Sequence, residues 1–112
     1  MISAEIVLDG KGFLKSCRIG GHSGAGKRGE DVVCAAVSVL ARTAFRTLSR
    51  ADGVDISGEA PARGAYSLKV VAFDGSDAVA VGFLAGTTAF LVEGLSSVAR
   101  DYPENCTVQI SN

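Results

Sequence analysis

The sequence predicts a single α+β domain, a two-layer sandwich in which two helices cover one face of a mainly antiparallel sheet of about five strands. Three observations support this fold class. Short segments with alternating apolar residues indicate strands, two longer segments with apolar residues at helical spacing indicate helices, and turn-forming residues separate paired strands. The predicted order is strand, strand, helix, strand, strand, helix, strand (ββαββαβ). A chain of 112 residues has room for one such domain, spanning residues 1–112.

The first half of the chain predicts a hairpin, a glycine-rich loop and a long helix. Residues 2–8 alternate as a half-buried strand, and Asp9-Gly10-Lys11-Gly12 is a hairpin turn signal. Residues 13–19 return as a second strand with Cys17 and Ile19 pointing inward. Five glycines then fall within residues 20–29. Beyond them, apolar residues at helical spacing predict a helix over about 30–50, which Asp52-Gly53 ends.

The second half predicts a further strand pair, a helix and a last strand. Residues 51–64, rich in Gly, Asp and Ala, are interpreted as a surface connection. The remaining elements are expected to be strands at 66–72 and 78–83, a helix at about 87–101, and a strand at 106–110. Asp74-Gly75-Ser76-Asp77 is read as the turn between the two middle strands.

Composition excludes several function classes. The net charge is −1 and no block of lysine and arginine is present, so no direct nucleic-acid contact is expected. Residues 78–92 form the most apolar run, but glycine and threonine interrupt it and Glu93 closes it. It is too short for a membrane span and is interpreted as buried core. The start of the chain lacks signal-peptide features, which predicts a cytoplasmic protein whose three cysteines are free thiols.

One histidine and one cysteine lie 12 residues apart, on either side of the predicted start of the long helix. His22 follows the second strand, and Cys34 is expected in the first turn or so of the helix. The partial positive charge at a helix N-terminus stabilises a thiolate, and a nearby imidazole activates it further as a nucleophile. Asp31 and Ser38 share the face of Cys34, where they are candidates to orient His22 or support the site. A buried core cysteine remains the alternative interpretation of Cys34.

The motif that combines these residues resembles a known family. Gly21-His22, followed by GEDVVCAAVS at residues 29–38, is similar to the signature of the ribosomal-processing cysteine protease family (Prp). The similarity extends along nearly the whole chain, to Gly94-Leu95, Val98-Ala99 and Tyr102-Pro103. The sequence departs from the family pattern at residues 23–28 and in the Ala/Gly-rich stretch before the second helix, which leaves the cleavage sequence open.

The resemblance implies a cysteine endopeptidase with a catalytic dyad of His22 and Cys34. It also implies a homodimer that removes the N-terminal extension of a bacterial large-subunit ribosomal protein, number twenty-seven. Neither a cofactor nor a metal is predicted. The glycine loop is expected to clamp an extended peptide substrate over Cys34 and to close only when substrate binds, with Gly21, Gly24, Gly26 and Gly29 as its glycines.

Three alternatives stay open at this point. Residues 21–27 match the phosphate-binding pattern G-x-x-x-x-G-K, although Arg28 replaces the Ser or Thr that binds Mg²⁺. Cys17, Cys34, Cys106 and His22 total four possible metal ligands, but without paired C-x-x-C spacing. A ribosome-associated binding or assembly module without catalysis is the third alternative.

Overall fold

The computed structural model describes residues 1–21, 28–62 and 64–112, and of these it gives the backbone alone at residues 28–31 and 62. Seven elements follow one another: β1 (Ile2–Leu8), β2 (Leu14–Gly20), α1 (Arg28–Ser49), β3 (Val54–Ala62), β4 (Ala65–Phe73), α2 (Ala78–Asp101) and β5 (Cys106–Ser111). The predicted α+β class and the ββαββαβ order are confirmed.

The five strands form one mixed sheet in the order β3-β4-β2-β1-β5. Three of its four strand pairs are antiparallel, and only β1 and β5 run parallel. A nucleotide-binding P-loop fold requires a parallel sheet with crossover helices, so this sheet excludes that alternative. Because β2 and β3 run antiparallel to β1 and β4, the ends of β2 and β3 and the starts of β1 and β4 meet at one end of the sheet. The chain leaves this end after Gly20 and returns as α1.

The core lies between the sheet and the two helices. In β1, alternate residues Ile2, Ala4 and Ile6 are buried, while Ser3 and Glu5 are exposed on the open face. The inward positions predicted for Cys17 and Ile19 are confirmed. Both helices add buried residues to the same core cluster, which are Val33, Val37, Ala41, Ala44, Leu48, Leu84, Leu91 and Leu95. Only one face of the sheet is covered by helices, so the domain has two layers.

The interpretation of residues 51–64 as a surface connection is wrong, because most of this segment is β3. The strand lies at the edge of the sheet and pairs only with β4. Gly58 and Pro61 weaken a central strand, but an edge strand tolerates them because one side of its backbone needs no partner. The register of β3 also shifts between Glu59 and Ala62, around Pro61.

The strand predicted at 78–83 is also wrong, because these residues form the first turns of α2. Asp77 caps this helix: its carboxylate accepts the backbone N–H groups of Val79 at 2.9 Å and Ala80 at 3.3 Å. The predicted turn at residues 74–77 is present, with the Asp77 N–H donating to the Asp74 carbonyl oxygen at 3.2 Å, but it leads into a helix and not into a strand. The predicted number and order of elements are still correct, because β3 was not predicted and the strand predicted at 78–83 is absent.

Residues 78–92 are only partly core, contrary to the interpretation of this run as buried. Ala80, Leu84 and Leu91 are buried, but the opposite face of α2 is exposed and carries Phe83 and Phe90. By length and composition, both α1 and α2 are apolar enough to cross a membrane, a criterion that core helices of soluble domains also meet.

A buried hydroxyl connects α2 to the start of β2. The Leu14 N–H donates to the Thr88 hydroxyl at 2.9 Å, and this hydroxyl donates to the Leu84 carbonyl at 2.7 Å. We expect Thr88→Val to lower the free energy of unfolding by roughly 1–3 kcal/mol, because it leaves the Leu14 N–H buried without that acceptor. Urea unfolding measures this loss. Thr88→Ser, which keeps the hydroxyl, is expected to lose less, and equal losses in the two variants would contradict the role of the bond.

Candidate active site

The three cysteines differ sharply in their surroundings. All are free, with Cys17 and Cys106 buried and Cys34 partly exposed. Burial raises the pKa of the Cys17 thiol to about 12 and also raises the pKa of Cys106. Cys34 is thus the one thiol that solvent can reach, which fits its predicted role as nucleophile. Among the described residues, no three His, Cys, Asp or Glu side chains form a group able to hold a metal ion.

Cys34 lies farther into α1 than the sequence predicts. The helix begins at Arg28, about two residues before the expected start, so Cys34 is its seventh residue and belongs to the second turn. The dipole effect falls off within the first turn of a helix. The helix terminus therefore acts less on the Cys34 sulfur than the sequence predicts. The unpaired N–H groups of the first turn are also less directly available to Cys34 as an oxyanion hole.

Ser38 is bonded to the backbone of Cys34. Its hydroxyl donates to the Cys34 carbonyl oxygen at 2.6 Å, one helical turn back. This local bond holds the Ser38 side chain against the helix and gives no contact with a reacting atom. Asp31 belongs to α1, but its side chain is outside the described residues, so its orienting role stays a prediction.

The described residues include only part of the predicted loop. His22, Gly24 and Gly26 lie outside them. Gly29 is part of α1 and not of a loop, because the helix begins at Arg28. The first turn of a helix accommodates glycine because its N–H groups have no helical partner to lose.

Gly21, which directly precedes His22, has a backbone conformation that requires glycine. Its φ is +81°, and a Cβ built on it would overlap the carbonyl oxygen of Met1. A larger residue would therefore have to turn the chain in another direction at this point. Gly21 fixes how the chain leaves the sheet on its way to the histidine.

We expect Gly21→Ala to lower kcat/KM for peptide cleavage by about tenfold to a hundredfold, because a displacement near 1 Å in a catalytic group has effects of this size. The matched control is Gly20→Ala, since a Cβ at Gly20 meets no atom within 4 Å. Thermal unfolding shows whether either variant is destabilised. Unchanged kcat/KM in a folded Gly21→Ala protein would contradict a positioning role for this residue.

A groove between α1 and the β3–β4 hairpin was not predicted from the sequence. It has a volume of about 290 Å³ and is lined by Ala41, Arg42, Phe45, Arg46, Gly58, Glu59, Ala60, Tyr66, Ser67 and Leu68. The sequence does not predict the groove because residues 51–64, which include β3, are interpreted as a surface connection. Two aromatic residues of its lining, Phe45 and Tyr66, are the sequence feature that could have indicated an apolar groove.

The whole chain matches solved structures of similar fold. A crystal structure described as the essential ribosomal processing protease Prp from S. aureus in complex with a substrate peptide aligns with a TM-score of 0.76 and 19% identity, covering 98% of this chain and 99% of that one. The same protease with a covalently linked product peptide aligns with a TM-score of 0.74, 20% identity and the same coverage. SMU.848 from Streptococcus mutans is 30% identical, with a TM-score of 0.74 over 100% of this chain and 96% of its own.

The family assignment comes from the sequence match. A search of curated proteins finds no match. The family model described as cysteine protease Prp matches residues 1–107, nearly the full length. This match confirms the family resemblance and the expectation of a cysteine protease. The chain therefore belongs to the Prp family of cysteine proteases.

Proposed function

We propose that the protein is a cysteine endopeptidase that removes the N-terminal extension of a large-subunit ribosomal protein, number twenty-seven, with Cys34 as nucleophile and His22 as general base. The proposal depends on one observation: in this chain of the Prp family, Cys34 is partly exposed, whereas the other two cysteines are buried. The S. aureus protease, with its substrate peptide and its covalently linked product, supports both the class of substrate and a covalent route.

The proposed reaction has two steps. In the first, His22 takes the proton of the Cys34 thiol and the sulfur attacks the scissile carbonyl carbon. The C–N bond then breaks as His22 donates that proton to the leaving amine. This releases the C-terminal product and leaves the N-terminal product as a thioester on Cys34. In the second, His22 removes a proton from water, the water oxygen attacks the thioester, and the C–S bond breaks to restore the thiol. Asp31 is proposed to orient His22 and Ser38 to support the helix backbone at Cys34.

The predicted glycine loop is proposed to close over the bound peptide. Gly21 anchors one end of this segment at the sheet and α1 begins at its other end. Closure only with substrate would limit cleavage of other proteins in the cytoplasm, where we propose that the protein acts. A covalent linker that traps the loop closed is expected to stop peptide entry. Unchanged turnover in the linked protein would contradict this clamp.

The direct test of the function is cleavage of peptides that span the N-terminus of the ribosomal protein. Product masses identify the cleaved bond, and the Cys34→Ala protein is the control for contaminating proteases. We expect one internal cut that needs Cys34. Binding of these peptides without any cut would favour the alternative of a ribosome-associated module that performs no chemistry.

A homodimer is the second part of the proposal, and the exposed face of α2 supports it. Val79, Gly82, Phe83, Gly86 and Phe90 lie on one stripe of this helix, and all are exposed, with Phe90 66% accessible. No charged residue occurs on the helix before Glu93. A Cβ at Gly82 or Gly86 would meet nothing within 4 Å, so packing inside the chain does not explain these glycines.

A second copy fits this stripe because Gly82 and Phe90 each lie four residues from Gly86, on opposite sides of it. An antiparallel pair of α2 helices centred there places each Phe90 against the Gly82 of the partner copy, and Gly86 allows close approach on the axis. The same pairing directs Arg100 of each copy toward the acidic Asp74–Asp77 end of the other. The buried area is roughly 1,000 Å², the lower end of specific interfaces, so we expect a reversible dimer.

Sedimentation at several protein concentrations tests this dimer. We expect the wild type to dimerise and Phe90→Glu to stay monomeric, because a buried carboxylate without a partner is costly. Val71→Glu is the matched control, since Val71 is an exposed valine on β4. A Phe90→Glu protein that remains dimeric would contradict the α2 interface, and flotation of the wild type with lipid vesicles would indicate that the stripe contacts a membrane instead.

A further inference from the structure

We infer that the groove between α1 and the β3–β4 hairpin is a substrate pocket that binds an apolar side chain of the peptide, several residues away from the scissile bond. This inference rests on the proposed function, since it concerns the substrate of Cys34. It assigns a binding role to residues outside the motif, chiefly Ala41, Phe45, Tyr66 and Leu68, which line the groove.

The position of the groove on α1 connects it to Cys34. Cys34, Ser38, Ala41 and Phe45 recur at intervals of four, three and four residues, so they lie on one face of the helix. At a rise of about 1.5 Å per residue, Ala41 and Phe45 lie roughly 10 and 16 Å along the helix from Cys34. An extended peptide that advances about 3.3 Å per residue spans this distance with roughly three to five residues.

The other wall of the groove lies near the point where the chain leaves the sheet toward His22. Tyr66 lines the groove and is paired with Ile19 in the neighbouring strand, three residues before the histidine. The groove is thus flanked by the helix that holds Cys34 and by the sheet end that leads to His22. A second, larger cavity of about 540 Å³ includes Glu5 and Arg18 on the open face of the sheet, the face opposite α1, which makes it unsuited to a peptide at Cys34.

The lining determines which side chain fits. Phe45 and Leu68 belong to or pack against the core and form an apolar floor, whereas Arg42, Arg46 and Glu59 contribute charged groups of both signs. Over the apolar floor a charged side chain would lose its hydration, whereas an aliphatic or aromatic one gains burial. The volume suits one or two side chains and not a larger ligand.

The edge strand offers the peptide backbone a partner as well. One side of β3 pairs with β4, and its other side is the edge of the sheet. An extended peptide can form main-chain hydrogen bonds to such an edge while alternate side chains enter a pocket. Gly58 allows the Phe45 ring to pack directly on β3, since a Cβ there would come within 2.8 Å of that ring.

The test compares two leucine substitutions on the same strand. Ala60→Leu fills the groove from an exposed position, and Ser57→Leu adds the same side chain at a residue that lines the cavity on the open face. Steady-state kinetics are measured on peptides that carry Leu, Ala, Lys or Asp at each of positions three to five on either side of the cleaved bond. Unfolding curves confirm that both proteins are folded, and Ala60→Val is available as a milder variant.

We expect the wild type to prefer Leu at one of these positions by about tenfold or more in kcat/KM, mainly through KM. Ala60→Leu is expected to remove this preference, and Ser57→Leu to keep it. Equal behaviour of the two variants, or no position with an apolar preference, would overturn the pocket while leaving cleavage itself intact. Absence of cleavage with every peptide would instead overturn the proposed function, so the two failures are distinguishable.

Discussion

Replacing Cys34 with alanine is expected to lower the rate of peptide cleavage by at least about a thousandfold, because no other accessible thiol can form the thioester. His22→Ala is expected to cause a loss of similar size, since the chain has no second histidine to activate the nucleophile. Rates are measured with the ribosomal-protein peptides under single-turnover conditions, which separate chemistry from product release.

The double variant distinguishes a dyad from two independent contributions. If Cys34 and His22 act as a unit, the double variant should be about as slow as the worse single variant. If the loss of rate in the double variant equals the product of the two single losses, the two residues do not act in the same step. Cys106→Ala is the matched control, because it removes a buried thiol and should leave kcat unchanged.

Alkylation of the native protein at pH 7 is expected to modify Cys34 at least about a hundredfold faster than Cys17. Only the thiolate reacts, and a pKa of about 12 leaves roughly one Cys17 thiol in 10⁵ ionised at this pH. Burial raises the pKa of Cys106 as well, so its reaction should also be slow. Because both buried thiols have raised pKa values, their rates should increase only as the pH rises toward those values.

The rates are read by mass spectrometry of proteolytic fragments after timed exposure to iodoacetamide. In denaturant, all three cysteines should react at similar rates, which controls for intrinsic reactivity. The His22→Ala protein should label more slowly at Cys34 if the imidazole stabilises the thiolate. Equal and slow labelling of all three cysteines in the native wild type would contradict an activated Cys34.

The sequence predicted the fold class well because the strongest patterns belong to buried elements. The alternation of Ile2, Ala4 and Ile6 and the helical spacing of Val33, Val37 and Leu48 match what the structure buries. Such periodicities arise from one-sided burial against a single core, so they are readable without knowledge of the partners.

In the two misassigned segments, the spacing of apolar residues does not distinguish a strand from a helix or a loop. Residues 78–83 place apolar side chains on both the buried and the exposed sides of α2; for example, Ala80 is buried and Phe83 is exposed. An apolar run without periodicity does not distinguish a strand from a helix. The edge strand β3 has only Val54 and Ile56 partly buried, and its Gly58 resembles a loop residue. Tertiary context decided both segments.

The sequence predicted the nucleophile of the site, but it did not predict the groove nearby. The sequence singles out the Cys34 thiol by its predicted place near the start of a helix and by its family motif, and the structure leaves it partly exposed. The groove with Phe45 and Tyr66 depends on how α1 packs over β3 and β4, which residues far apart in sequence determine together. No local pattern encodes such a juxtaposition.

The most direct test of Cys34 as the nucleophile is the mass of the intact protein after rapid acid quenching during turnover of a ribosomal-protein peptide. We expect a transient adduct with the mass of the N-terminal product minus water, mapped to Cys34 and absent from Cys34→Ala. An adduct on Cys17 or Cys106, or cleavage by Cys34→Ala at the wild-type rate, would contradict Cys34 as the nucleophile.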